Sequence, residues 1–299
     1  MKSPSSSSLP PIFADYKTWL KRQPLSVHTK RAYHTQVRQF CVYLDQTDHE
    51  YGDPLKDEHA RDYAVRDYKA YLKTIRKRKP TTVNSALAAI DNFYRFLQLP
   101  PADVKREDLP QQAPRALTGD EQKRFLRAVE RCPSIRDQAI ASLLFYTGLR
   151  IGECAALNQD DVLVSSRKGT VIVRQGKRDS YREVPLNADV RKALDAWITT
   201  RGKKFPANKN EAFFLNRQGA QLSTRAIDMV VRKLGEEADV SLSAHILRHT
   251  CITNLVRNGT DLVLVAEIAG HRRLETTQRY SLPTEQDRIE AMESIQVDY

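Results

Sequence analysis

The 299-residue sequence predicts a mainly α-helical protein with a small β-sheet, divided into an N-terminal four-helix domain and a larger α+β domain. Three observations carry this prediction. Apolar residues recur at spacings of three and four through the first third of the chain, a proline-rich stretch breaks that pattern after Leu97, and one segment near Gly169 alternates with the period of a strand. The length suffices for two domains that each bury a core.

Residues 1–11, MKSPSSSSLPP, read as a disordered leader, since they lack the apolar run of a signal peptide. The helical domain follows over 12–98. A short helix around Ile12 to Leu20 precedes three stripes: Tyr33, Val37, Phe40 and Leu44; Val65, Tyr68, Leu72 and Ile75; and Val83, Leu87, Ile90, Tyr94 and Leu97. Each stripe lies on one helix face and predicts core packing, not a ligand box. Residues 99–117 carry Pro100, Pro101, Pro110 and Pro114, a composition that cannot continue a helix and predicts an extended linker. The second domain, 118–282, opens on Thr118 as a helix cap, with Glu121 placed to reach back to its amide before Phe125 and Val129. Val171 and Val173 alternate with Ile172 and Arg174, the polar run GKRDSYRE follows, and Val184 closes a β-hairpin. Phe213 to Leu215 suggest a further strand, and Ile289, Met292 and Ile295 mark an amphipathic helix in the tail, 283–299.

Lys and Arg number 48 against 37 Asp and Glu, a net charge of +11. That balance favours a polyanionic partner, although charge alone leaves DNA, RNA and an acidic membrane all open. The four cysteines form no CxxC pair, which argues against a zinc site or a disulfide framework and fits a reducing cytoplasm. No stretch approaches the roughly 18 apolar residues of a membrane span.

Metal-free attack on a DNA phosphodiester needs a nucleophile, cations around the non-bridging oxygens and a proton donor for the departing 5′ oxygen. Arginine suits the second role because its guanidinium stays charged and forks around phosphate oxygens. The second domain offers Arg150 in YTGLRIGE, Lys177 in QGKRDSYREVPL, His245 and Arg248 in AHILRHT, and His271 with Tyr280 in AGHRRLETTQRY. Arg150 follows an apolar stretch where a charge is costly without an anionic partner. His245 and Arg248, three apart, face the same way on a helix.

These motifs, in this order, resemble the active site of the tyrosine recombinase and integrase family. The first domain is similar to that family's core-binding domain in its Ser26-Val27-His28-Thr29 start followed by Tyr33. The resemblance implies a two-domain, Xer-like, site-specific recombinase acting in integration, resolution or transposition of a mobile element or replicon. It implies that Arg150, Arg248, His245 and His271 surround the scissile phosphate. Tyr280 would be the nucleophile of a 3′-phosphotyrosyl intermediate, and Lys177 the acid from a mobile hairpin, with Arg178 and Lys168 as rival cations. Glu153 would orient the basic residues, and His249 reads as structural. Neither metal nor cofactor is required. The implied partners are double-stranded DNA sites and a homotetramer assembled on two of them, with exchanged tails and a monomer or weak oligomer when free. No membrane is involved, and the expected place is the cytoplasm, on the nucleoid when bound. Other readings are an inactive DNA-binding regulator and a relaxing topoisomerase. Lys30, Arg31, His34 and Arg38, with Lys77 and Arg78, are candidate phosphate contacts by which two basic domains would clamp a duplex.

Overall fold

The computed structural model describes residues 11–47, 51–109, 113–175, 180–206, 209–283 and 285–294. Residues 1–10 of the expected leader, Lys177 and Arg178 of the hairpin, and Ile295 of the tail lie outside the described residues, whereas Pro11, expected in the leader, opens the first helix. The chain divides into two compact units, Met1–Pro110 and Gln111–Tyr299.

The first unit holds α1 (Pro11–Arg22), α2 (Val27–Asp45), α3 (Glu58–Thr74) and α4 (Pro80–Phe96). Their starts are chemically marked. Ser26 and Asp57 side chains accept the amides of Thr29 and Ala60, and Pro80 sits in a first turn where its missing N–H costs nothing. The stripes point inward as their spacing predicts: Val37, Phe40, Val65, Tyr68, Val83, Ile90 and Tyr94 are all buried. Ile75 departs from its stripe and is 70 % exposed, because α3 ends at Thr74 and the chain turns away.

Residues 100–107 form neither helix nor strand and are tied to this unit. Arg61 Nη1 donates to the Pro100 carbonyl at 2.8 Å, the Asp103 amide donates to Asp62 at 3.1 Å, and Arg106 Nη1 donates to the Asn84 carbonyl at 2.8 Å. Glu107 takes Lys69 and Lys73 at 2.9 and 3.0 Å. A segment without helix or strand has no ladder of its own, so side chains of the helices bond its backbone.

The second unit runs α5 (Gly119–Arg131), α6 (Ile135–Thr147), α7 (Ile151–Ala156), β1 (Val162–Val164), β2 (Gly169–Gln175), β3 (Ser180–Pro185), α8 (Ala188–Lys204), α9 (Thr224–Glu237), α10 (Ala244–Arg257), α11 (Leu262–Ala269), α12 (Leu274–Gln278) and α13 (Glu285–Glu293). The capping box opening α5 forms in both directions, at 2.9 and 3.3 Å. The sheet is antiparallel in the order β1-β2-β3, with Val171 opposite both Val162 and Val184. The hairpin matches its alternation, whereas β1, three residues long, is too short for alternation to reveal. Phe213 and Phe214 are core residues; the segment adds only isolated bridges, Asn158 to Ala212 and Leu215 to Gln221, in place of the expected strand. α6 is apolar on most sides because it is buried among α5, α8, α9 and α10. Its packing on α10 positions the site. Arg257 of α10 holds Asp287 of α13 at 2.8 Å, while Ile289 and Met292 are exposed. Among the described residues, no helix is long and apolar enough to cross a membrane.

Candidate active site

α6 ends at Gly148, whose φ of 61° turns the chain so that Arg150 caps the start of α7. The Arg150 amide and Nη1 both reach the Glu153 carboxylate at 2.8 Å, and Nη2 donates to the Gly270 carbonyl at 2.9 Å. Glu153 also receives Arg182 Nη1 at 3.1 Å and Nη2 at 2.8 Å, and Arg182 Nε donates to the Ile268 carbonyl at 3.0 Å. Burial pushes the Glu153 carboxyl up, but the bonds and charge of Arg182, then Arg150, prevail and hold it near 2. Glu153 therefore joins two guanidiniums, as a residue that orients basic groups would.

The sequence reading missed Arg182. It lies two residues before the buried Val184 on β3, so strand alternation turns it to the inner face, and a charge at an inward strand position is the signal that could have found it.

α10 carries the second set. Arg248 is 4 % exposed and donates from Nη1 to the Gly148 carbonyl at 2.6 Å and from Nη2 to the Ala269 carbonyl at 2.7 Å. Both carbonyls lie at helix C-termini, where the backbone dipole favours a cation. Burial, and secondly Arg150, lower Arg248 to about 10, which leaves it charged at neutral pH. Among the described residues, Arg248 forms no salt bridge and Glu153 pairs with both Arg150 and Arg182, so three guanidiniums stand against one carboxylate and the cleft keeps excess positive charge.

Gly270, with φ of 64°, ends α11 and brings His271 back toward these arginines. His271 Nδ1 pairs with the buried Thr277 hydroxyl at 2.8 Å. After α12, Tyr280 stacks on His271 with ring centroids 6.1 Å apart, and its ring is 7 % exposed beside Ile252, Val265 and Ala269. Its hydroxyl lies 2.6 Å from Nδ1 of His249, and the His249 ring meets His245 edge-on at 4.0 Å. Burial raises the Tyr280 pKa, while Arg248, Arg279 and Arg150 pull it back. Burial and the surrounding cations hold His271 and His249 near 4, and His245 also falls below its ordinary value.

The structure thus brings together Arg150, Glu153, His245, Arg248, His271 and Tyr280. His249, read from the sequence as structural, lies in the same cluster, its Nδ1 against the tyrosine hydroxyl. Four residues separate His249 from His245, one helical turn, and that spacing was the available signal. Lys177 lies outside the described residues, and Lys168 is exposed in the β1–β2 turn.

In the first unit, Arg31, Arg38, Lys77 and Arg78 are exposed. Lys30 instead donates to the Lys21 carbonyl at 2.6 Å, and His34 packs on Phe13 with centroids 5.0 Å apart, because both turn toward α1. Burial, with Lys17 and Arg38 nearby, lowers the His34 pKa.

The model of the phage integrase family matches residues 115–286, and that of the phage integrase N-terminal SAM-like domain matches residues 14–99. The chain belongs to the phage integrase family. This family is that of the tyrosine recombinases, DNA strand-transferring enzymes, as the resemblance of TGLRIGE, HILRHT and the His271 to Tyr280 spacing implied. Tyrosine recombinase XerC of Myxococcus xanthus is 33% identical over 296 residues, covering 93% of this chain and 95% of the relative. Tyrosine recombinase XerA of Thermococcus kodakarensis is 28% identical over 289 residues, covering 94% of each. The crystal structure of XerA recombinase covers 97% of this chain and 100% of its own, at 26% identity and a TM-score of 0.55. XerH site-specific recombinase in a post-cleavage complex with palindromic difH substrate shares the fold, with a TM-score of 0.74 at 21% identity over 95% of this chain and 84% of its own. The mainly helical recombinase architecture with a small sheet is therefore both expected and observed.

Proposed function

We propose that this tyrosine recombinase is site-specific and cuts DNA with Tyr280, leaving a 3′-phosphotyrosyl bond and a free 5′ hydroxyl that later rejoins a strand. The observation that carries the proposal is a buried tyrosine within the field of Arg150 and Arg248, the first held on Glu153 and the second on two backbone carbonyls. In this reading Arg150 and Arg248 cradle the non-bridging phosphate oxygens, whose charge grows in the transition state; their backbone anchors preorganise them for it. His271 Nδ1 pairs with the Thr277 hydroxyl; in the tautomer where Nδ1 accepts, the ring keeps Nε2–H for a phosphate oxygen. Glu153 positions Arg150, and Lys177 protonates the departing 5′ oxygen.

The covalent bond conserves the energy of the cut for rejoining, so the reaction as proposed uses neither metal nor cofactor. The relatives act as recombinases, and XerH has been seen on its difH site, which supports specific duplex sites as partners here. We assign the protein to a homotetramer on two such sites, with tails exchanged between subunits. Its work would be integration, resolution or transposition of a replicon or mobile element, on the nucleoid.

The test uses a nicked suicide duplex carrying the site that the protein selects from a random DNA pool. The protein is expected to form a covalent adduct that disappears in Tyr280→Phe. Absence of adduct overturns the cleavage reading; on an intact supercoiled plasmid carrying two selected sites, relaxation without exchanged strands overturns recombination in favour of a relaxing topoisomerase.

A further inference from the structure

Activation of the nucleophile requires that the phenolic proton go somewhere. Tyr280 is 7 % exposed, so bulk water has little access to its hydroxyl. The described partner of that hydroxyl is Nδ1 of His249, at 2.6 Å. We propose that His249 is the general base of the reaction, taking the Tyr280 proton as the tyrosine oxygen attacks phosphorus.

The inference rests on the strand-cleavage reading above. The Tyr280 proton passes to His249 Nδ1 while the Oη–P bond forms and the P–O5′ bond breaks. The electron pair of the broken bond leaves on O5′, which takes a proton from the acid assigned to Lys177. Rejoining runs the transfers backwards and returns the His249 proton to the tyrosine oxygen. The other histidines are less well placed. His271 Nδ1 is occupied by Thr277, and its ring stacks on the Tyr280 ring. His245 meets the edge of His249 and supports its orientation.

The groups facing His249 are His245 and Arg248 on its own helix, His271 after α11, and Arg279 and Tyr280 after α12. Burial and these neighbours keep the imidazole unprotonated at neutral pH, so its lone pair is available to the phenol. A bound phosphodiester brings negative charge among the same arginines, offsets their repulsion and raises the basicity of His249 when it is needed.

Single-turnover cleavage of the selected suicide duplex, from about pH 6 to 10, tests the assignment with His249→Ala and His249→Asn. Asparagine places an acceptor near the Nδ1 position but cannot take a proton. Both variants are expected to lose about 100-fold or more at neutral pH, within the usual range for general base catalysis. The loss should shrink as rising hydroxide replaces the base. Wild-type cleavage by His249→Asn would overturn the proposal in favour of mere positioning. A 5′-bridging phosphorothiolate duplex, whose sulfur leaves without a proton, should rescue Lys177→Ala and leave the His249 variants slow; rescue of His249→Ala would overturn the assignment.

Nitrogen NMR of the free protein reads the pair without DNA, so it separates failure of this inference from failure of the cleavage reading. An unprotonated, hydrogen-bonded Nδ1 that changes in Tyr280→Phe is the expected signature. A neutral ring with its proton on Nδ1 would overturn it, whatever the DNA experiments show.

Discussion

Glu153 concentrates the electrostatics of the cleft in one side chain. It is 10 % exposed and bonds Arg150 and Arg182, whose hydrogen bonds and charge outweigh burial and hold its pKa near 2, below the ordinary glutamate value of 4.5. A carboxyl whose pKa is depressed by folding contributes stability that is complete above its unfolded pKa and is lost as pH falls through the folded one. The shift corresponds to about 3 kcal/mol. Glu153→Gln is therefore expected to destabilise the second unit by about that amount above about pH 5, with the difference vanishing toward pH 2. Urea unfolding followed by Trp197 fluorescence in a Trp19→Phe background measures it, since these are the two tryptophans. A difference independent of pH would mean that shape, not charge, is what Glu153 supplies.

At this scale, residues within recognisable local motifs were the legible ones: Arg150, Glu153, His245, Arg248, His271 and Tyr280. Arg182 and His249 were not, because their importance arises from partners 29 and 31 positions away that only the fold brings near.

Elements whose periodicity runs over several turns were legible too, so the helices of the first unit and the β2–β3 hairpin appear close to where the stripes and alternation put them. β1 and the bridges near Phe213 were not, since short pairings depend on a neighbour more than on a pattern. Helix ends belong to the same scale, and Gly270 is the most demanding. A Cβ there would lie 2.8 Å from Arg182 Nη1 and 2.9 Å from its Cζ, on a backbone with φ of 64°. Gly270→Ala must both strain the turn and displace the guanidinium bonded to Glu153. Gly259→Ala is the matched control, having φ of 78° but open space around the new methyl. Both should lose about 1 kcal/mol from the left-handed backbone. Gly270→Ala alone should also slow covalent adduct formation, read as a single-turnover rate at saturating DNA. Equal rates for the two variants would show that the packing of Gly270 on Arg182 does not serve the cleft.

The net charge of +11 becomes specific at the scale of the whole molecule only through the places where the chain presents it. The turn between α3 and α4 is one. Lys77 has φ of 46°, unusual for a lysine, and the turn is closed by the Arg76 amide on the Tyr71 carbonyl at 3.0 Å and the Arg78 amide on the Leu72 carbonyl at 2.9 Å. Backbone bonds thus fix the turn while both side chains remain exposed, away from the core of the first unit. Lys30 and His34, by contrast, spend their polar or aromatic groups on α1, so they are weaker candidates for phosphate contact than Arg31 and Arg38. If Lys77 and Arg78 each neutralise one phosphate, each releases condensed counterions, and the double variant Lys77→Ala/Arg78→Ala should flatten the slope of log affinity against log salt by up to about 1.8. Phosphates carry no sequence information, so the change should be the same on the selected site and on a random duplex. Fluorescence anisotropy between about 50 and 300 mM salt gives both slopes. An unchanged slope would remove the turn from the DNA footprint, whereas a loss confined to the selected site would mean that these two residues read bases instead.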